Sequence, residues 1–251
     1  MELIVLGAGP AYTDRAGATA ASYLVVSDGA ALLLDLGQGS FSNLAAVREP
    51  SSLTAVLVTH LHPDHFIDLV PLRHYLKWLC VPSRRMRVLS PAGLSDRLDA
   101  VNGNADFTSA ALDVEQLAEG LTRVGPFALE AKLVTHTDES YAVRVSVAGG
   151  GARGPGLVYS GDCGRPEDLI PLIRPGDTLL SEASFGAGPV PPGTDHLTGA
   201  MAGQAAARGG AARLLITHLL MGYDRGATLA DAATAFSGPT QLVTEGDRFE
   251  V

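Results

Sequence analysis

Apolar residues in this chain come in short runs closed by Gly, Pro, Asp or Ser, a spacing that suits strands better than long helices. Runs at 2–6, 20–27, 30–36, 53–59, 86–90, 127–135, 141–148, 156–160, 177–182, 212–217 and 240–243 predict strands. Helical spacing appears near 40–48, 65–80, 92–101, 166–173, 198–208 and 228–236. Pro166 is placed like a first-turn proline and Thr198 like a helix cap. Both halves repeat an order of strands, helix, strands, so two sheets stacked back to back with helices outside would bury both. Gly149-Gly150-Gly151 and the stretch 186–193 are loop-sized, and a single domain over residues 1–251 is expected. The segment 65–80 is more apolar than one helix face needs, with Leu72, Leu76, Trp78 and Leu79 among its residues. Burial inside the domain, a homodimer interface and a wall of the substrate pocket are the outlets for that surplus.

Composition refines this picture in two ways. With 46% hydrophobic and 18% charged residues the chain is an ordinary folded one, neither disordered nor collagen-like. A formal net charge of −9 gives a whole-protein field that repels nucleic acid, so any anionic substrate has to be held by a local site. Two cysteines, Cys80 and Cys163, are too few for a disulfide framework and are read as thiols, Cys80 buried at the end of an apolar helix. The start, Met1 to Gly7, lacks the basic region of a signal peptide, and no apolar stretch approaches the roughly 20 residues of a membrane helix. A cytoplasmic protein with no membrane partner is expected.

The chemistry concentrates where strands end. Residues 53–59 run into His60-Leu61-His62-Pro63-Asp64-His65, so His60 and His62 can point one way while Asp64 and His65, at a helix start, point another. Two adjacent metals can share such a loop. Three further apolar runs end in a potential ligand: His136 after Val134-Thr135, Asp162 after Tyr159-Ser160-Gly161, and His218 after Leu215-Ile216-Thr217. Of the seven histidines, five occupy these positions and His196 lies in Asp195-His196-Leu197-Thr198, leaving only His74. Imidazole nitrogen and carboxylate oxygen are the donors of a catalytic zinc site.

His60-x-His62-x-Asp64-His65, a lone His136, then Asp162 and His218 resemble, in order and over nearly the whole chain, the metallo-β-lactamase superfamily. The resemblance implies an α/β fold, a four-layer αββα sandwich, with two divalent metal ions in the cleft between its halves. Zn2+ is the first expectation, with Mn2+ or Fe also suited to such donors. By carry-over, His60, His62 and His136 hold one ion, Asp64, His65 and His218 the other, and Asp162 bridges them. Leu34-Asp35-Leu36-Gly37-Gln38-Gly39 and Ser181-Glu182-Ala183-Ser184-Phe185, with Asp195-His196-Leu197-Thr198, are similar to the branch containing tRNase Z and cyclic-nucleotide phosphodiesterases. Asp35 is read as a turn residue holding backbone amides, Glu182 as orienting His196 or a ligand, and Cys163 as a structural thiol rather than a ligand.

These readings converge on a dinuclear metal-dependent phosphodiesterase whose nucleophile is a metal-activated hydroxide and whose catalytic set is His196, Asp64 and Glu182. Positions 137–161, between His136 and Asp162, are too few for the protruding arm with which tRNA-processing relatives grip their substrate. A small phosphodiester such as a cyclic nucleotide is therefore the expected substrate. RNA, cut by a tRNase Z-like 3′-end endonuclease, is one alternative. Others are a lactone, thioester or ester hydrolase and, outside enzymes, a metal-stabilised regulator.

Overall fold

A computed structural model describes residues 1–137, 139–147 and 154–251. The first half of the chain gives β1 (Glu2–Gly7), β2 (Ser22–Ser27), β3 (Ala30–Leu34), α1 (Ser40–Val47), β4 (Ala55–Leu57), α2 (Pro63–Phe66), α3 (Leu69–Trp78), β5 (Met86–Ser90), α4 (Leu94–Asn102) and β6 (Leu112–Gln116). The second gives β7 (Gly120–Val124), β8 (Phe127–Leu133), β9 (Tyr141–Val147), β10 (Leu157–Tyr159), α5 (Pro166–Leu169), β11 (Thr178–Glu182), α6 (Gly199–Gly209), β12 (Arg213–Thr217), α7 (Arg225–Ala233), β13 (Thr240–Leu242) and β14 (Arg248–Glu250). Their local causes are ordinary. Asp28 and Gly29, with φ of 49° and 79°, make the tight β2–β3 turn that Asp-Gly favours. Pro166 opens α5, and the Thr198 hydroxyl accepts from the Met201 amide at the start of α6, as the sequence predicts.

Two sheets result, ordered β14-β1-β2-β3-β4-β5-β6 and β13-β12-β11-β10-β9-β8-β7. Their facing sides close over one core that contains Val5, Tyr23, Leu34, Leu57, Leu129, Val145, Tyr159 and Leu215. The outer face of the first sheet buries Leu33, Val56 and Val88 with Leu44 of α1, Leu72 of α3 and Leu98 of α4. The second sheet does the same with Leu169 of α5, Ala202 of α6 and Ala232 of α7. This is the expected four-layer αββα arrangement. β3, β4, β5, β10, β11 and β12 run parallel to a neighbour, so their carboxyl ends open along one rim where loops can converge.

Several expectations need correcting. The single helix expected over 65–80 is two helices, α2 and α3. Asp68 stands between them, its amide donating to Leu36 and its carboxylate accepting from the Phe41 amide, so the chain is tied to the β3–α1 loop there. Leu69, Leu72 and Leu76 are buried, whereas Trp78 and Leu79 are each 70% exposed. Cys80 is half-buried, not buried. β6, β7 and β14 were not anticipated, because each exposes most of its residues and has too few apolar positions to register as a strand. The run at 53–59 is a strand only over Ala55–Leu57; by Thr59 the amide donates to the Asp35 carboxylate instead of to a neighbouring strand. Position 148 of the expected strand 141–148 and Gly149-Gly150-Gly151 lie outside the described residues.

Candidate metal centre

The loops at the rim bring together every residue of the predicted ligand set. β4 delivers His60, and Pro63 at the first turn of α2 fixes the extended backbone of His62 before it. Asp64 and His65 follow on that short helix. This loop can lie close because position 37 has no side chain: a Cβ on Gly37 would stand 1.9 Å from the Asp64 carbonyl oxygen. A Cβ on Gly164 would similarly stand 2.7 Å from that of Asp195, so the loop carrying His196 reaches the site over a glycine. His218 has a φ of 58°, an unusual value outside glycine, and its amide donates to the Ala8 carbonyl at 3.1 Å. The second half meets the first here as well, the Tyr141 amide donating to the Thr59 carbonyl at 3.0 Å.

Two groups of donors share one carboxylate. His60, His62 and His136 gather with Asp162, and Asp64, His65 and His218 gather beside them. Asp162 Oδ2 is 3.7 Å from Nε2 of both His60 and His136. Its Oδ1 is 3.3 Å from His65 Nε2 and 3.6 Å from His218 Nε2. His218 Nε2 also lies 3.2 Å from Asp64 Oδ2.

The donor atoms fit divalent cations. His62 Nδ1 and His136 Nε2 are 3.1 Å apart, and His65 Nε2 and His218 Nε2 are 3.3 Å apart. A tetrahedron of nitrogens at about 2.0–2.1 Å from a zinc ion has edges of about 3.3 Å. Two bare ring nitrogens at that range repel each other unless a proton or a cation lies between them. His60 Nε2 and Asp162 Oδ1 are, moreover, buried without any hydrogen-bond partner. Orphaned buried acceptors are costly and rare, and a metal ion satisfies both.

The outward-facing nitrogens are held by a second set of contacts. His65 Nδ1 donates to Asp35 Oδ2 at 2.7 Å, and Tyr159 and Thr59 hydroxyls donate to the same oxygen, each at 2.8 Å. Asp35 Oδ1 accepts from the Thr59 amide at 2.7 Å. Asp35 thus holds a backbone amide, as expected, and also a ligand ring. His136 Nδ1 donates to the Asp195 carbonyl at 2.8 Å. Glu182 serves two rings: Oε1 accepts from His196 Nδ1 at 2.8 Å, while Oε2 accepts from the Ser184 hydroxyl, which in turn lies 3.1 Å from His218 Nδ1. Such outer contacts fix ring orientation and tautomer. Thr59, Tyr159 and Ser184 were not singled out from sequence. Only Ser184, two residues after Glu182, carried any signal.

Crowding divides the imidazoles. Burial, reinforced by neighbouring His65, keeps His60 well below the usual imidazole value, and burial with His136 lowers His62. Burial opposes charge on His65 too, but Asp162 and Asp35 outweigh it and hold the ring well above its usual value. His218 is likewise raised against burial by Asp162 and Asp64. Asp162 is well below the carboxylate range, because His218 and His65 overcome its burial. His196, about one-fifth exposed at the edge of the site and 3.9 Å from Asp162, is pushed up to about 9 by Glu182 against burial. Cys163 turns away: its thiol is 3.2 Å from the Arg165 carbonyl, and its amide donates to Glu182.

Comparison with known proteins agrees with this architecture. The profile of the Beta-lactamase superfamily domain matches residues 32–219. An uncharacterized protein of Mycobacterium leprae is 33% identical over 239 residues, covering 92% of this chain and 82% of that protein. The probable metallo-hydrolase YhfI of Bacillus subtilis is 26% identical over 246 residues, 98% of each chain. Its crystal structure superposes with a TM-score of 0.86 at 24% identity, covering 100% of this chain and 98% of that one. The short form of human tRNase Z superposes at 0.74 with 20% identity, covering 100% and 99%. Fold, donor arrangement and sequence matches agree, and the chain belongs to the metallo-β-lactamase superfamily of metallo-hydrolases.

Proposed function

We propose that the protein is a phosphodiesterase that uses two divalent ions to hydrolyse a small phosphodiester, such as a cyclic nucleotide. The observation that carries this reading is His196, held through Nδ1 by Glu182 and standing beside the carboxylate that two donor groups share. His60, His62 and His136 would hold one ion, Asp64, His65 and His218 the other, with Asp162 between them. Ions bound there would lower the pKa of a shared water and place positive charge against the non-bridging phosphate oxygens. The chain's own groups do the rest. Glu182 occupies Nδ1 of His196, so Nε2 is the position from which a proton passes to the departing oxygen. Asp64 closes one donor group and keeps His218 Nε2 aimed inward.

The likeness to human tRNase Z supports phosphodiester chemistry, and it also brings a second reading, cleavage of an RNA 3′ end. A small substrate is favoured because only 25 positions, 137–161, separate His136 from Asp162, and β9 and β10 take ten of them. The test is a panel on zinc- or manganese-loaded protein: bis-p-nitrophenyl phosphate, 3′,5′- and 2′,3′-cyclic nucleotides, a precursor tRNA, and p-nitrophenyl acetate. Turnover of the diester and a cyclic nucleotide is expected. Hydrolysis of the acetate alone would reject the reading, and cleavage confined to precursor tRNA would replace it with the RNA one.

A further inference from the structure

Among the described residues, only three buried side-chain nitrogen or oxygen atoms have no hydrogen-bond partner: His60 Nε2, Asp162 Oδ1 and Arg15 Nη2. Cations held by the donor groups would account for the first two. Arg15 is far from the donor groups in sequence, on the loop after β1, and an arginine nitrogen calls for an acceptor, not for a metal.

Nη2 itself packs beside Gly9, but the rest of the Arg15 side chain borders open space. Arg15 lines a cavity of about 420 Å³ together with Thr13, Asp14, the stretch Leu219 to Asp224, and Arg225. Leu219 directly follows His218, so one end of the lining adjoins a proposed ligand along the chain. Its aromatic wall continues there too: the Tyr223 ring lies 6.1 Å from Phe185, whose ring lies 5.7 Å from that of His196.

The second arginine is also unspent. Arg225 gives one bond, from Nη2 to the Leu242 carbonyl at 3.2 Å, and Arg15 gives its Nε to Thr13 at 3.3 Å. Neither makes an ion pair among the described residues, whereas Arg85, Arg87, Arg144, Arg174, Arg208 and Arg248 all do. Asp14 also lines the cavity but makes no ion pair with either arginine, and the other carboxylates nearby already accept from backbone amides. Asp224 accepts from the Ala227 amide, Glu245 from the amides of Ala8 and Thr19, and Asp247 from Thr244. Arg225 is lowered by its burial and by the like charge of Arg15, against the opposing pull of Glu245 and Asp247, so the two guanidiniums are close enough to repel. Two such forks facing one cavity match the oxygens of a phosphoryl group.

We propose that Arg15 and Arg225 form a subsite for a second phosphoryl group, so the preferred substrate carries a phosphate beyond the diester that is cut. This rests on the phosphodiesterase reading and narrows it. A cyclic mononucleotide, with one phosphate, would leave the subsite empty, while a short phosphorylated oligonucleotide would fill it.

Two measurements on metal-loaded protein test this. The first compares kcat/KM for the dinucleotide ApA with that for its 5′- and 3′-phosphorylated forms. At least one phosphorylated form should be favoured roughly 10-fold or more, through KM, and the preference should collapse towards unity in Arg15→Gln and Arg225→Gln. A variant that merely disturbs the fold lowers both substrates together and leaves the ratio, an outcome that overturns the proposal, as does a wild-type ratio near one. The second titrates inorganic phosphate calorimetrically. Wild type should bind two and the double variant Arg15→Gln, Arg225→Gln one; equal stoichiometry overturns the subsite. Because this arm needs no turnover, loss of all diesterase activity with phosphate binding intact would reject only the reaction assigned above.

Discussion

Replacing His196 with Ala removes a group from the edge of the site but takes no donor from either histidine cluster. Turnover should therefore fall by on the order of 10²–10⁴, the usual worth of a positioned acid, with metal content unchanged. Asp162→Ala should lose both, because both clusters converge on that one carboxylate. Turnover assays paired with elemental analysis separate the cases, and an active His196→Ala enzyme would remove the residue from its role. Asp35→Ala touches no metal directly, yet it frees His65 to rotate and strands the Tyr159 hydroxyl. It should weaken metal binding by about 10- to 100-fold, measured by competition with a chromophoric chelator. At this scale the sequence was legible wherever a histidine or aspartate closed an apolar run. Thr59, Tyr159 and Ser184 were not, because a neutral hydroxyl gains its meaning only from the strand that happens to lie opposite.

Elements show the same division. β3, β4, β11 and β12 are buried on both faces and read as continuous apolar runs, so they were found. β6 was missed because it is an edge strand, and its exposed positions carry Asp113 and Glu115, paired with Arg85, just before β5, and Arg87 of β5. Such charges discourage pairing with another chain but add little stability. A different pair does matter. Arg144 of β9 and Asp177, just before β11, are buried and joined by two bonds of 2.7 and 2.8 Å, and Asp177 also accepts from the amides of Gly156 and Arg174. Asp177→Ala would strand the guanidinium and two backbone amides at once, and should cost about 3–5 kcal/mol. Urea unfolding should show it as a lower midpoint with an unchanged slope; a midpoint within error of wild type would mean that the pair contributes nothing.

For the molecule as a whole, the proposed ligands come from both halves of the chain: His60, His62, Asp64 and His65 from the first, His136, Asp162 and His218 from the second. Metal bound there would be a cross-brace, and chelation should lower Tm, with a stabilisation of about 4 kcal/mol when free metal is 1,000-fold above Kd. The effect depends on pH with a definite sign. His65 and His218 are raised in the metal-free fold, so their contribution is complete below the ordinary imidazole value and fades as pH rises through the raised ones. Metal binding requires the same rings neutral and releases their protons, so it strengthens over that range. The Tm gap between loaded and metal-free protein should consequently widen from pH 6 to pH 8, and a gap that narrows would contradict the assignment of these rings as ligands. The layered architecture was legible from the motif order, whereas the cavity beside Arg15 was not, since it is made by loops distant in sequence.

One crossing in the topology bears on how the chain is made. After β13 the chain leaves the second sheet, and β14, at Arg248–Glu250, pairs antiparallel with β1 of the first. Until the ribosome has delivered those residues, the opening strand waits with bare amides and carbonyls along one flank. A nascent chain shielded at that flank, by a chaperone or by slow release, would escape self-association that a stalled one invites.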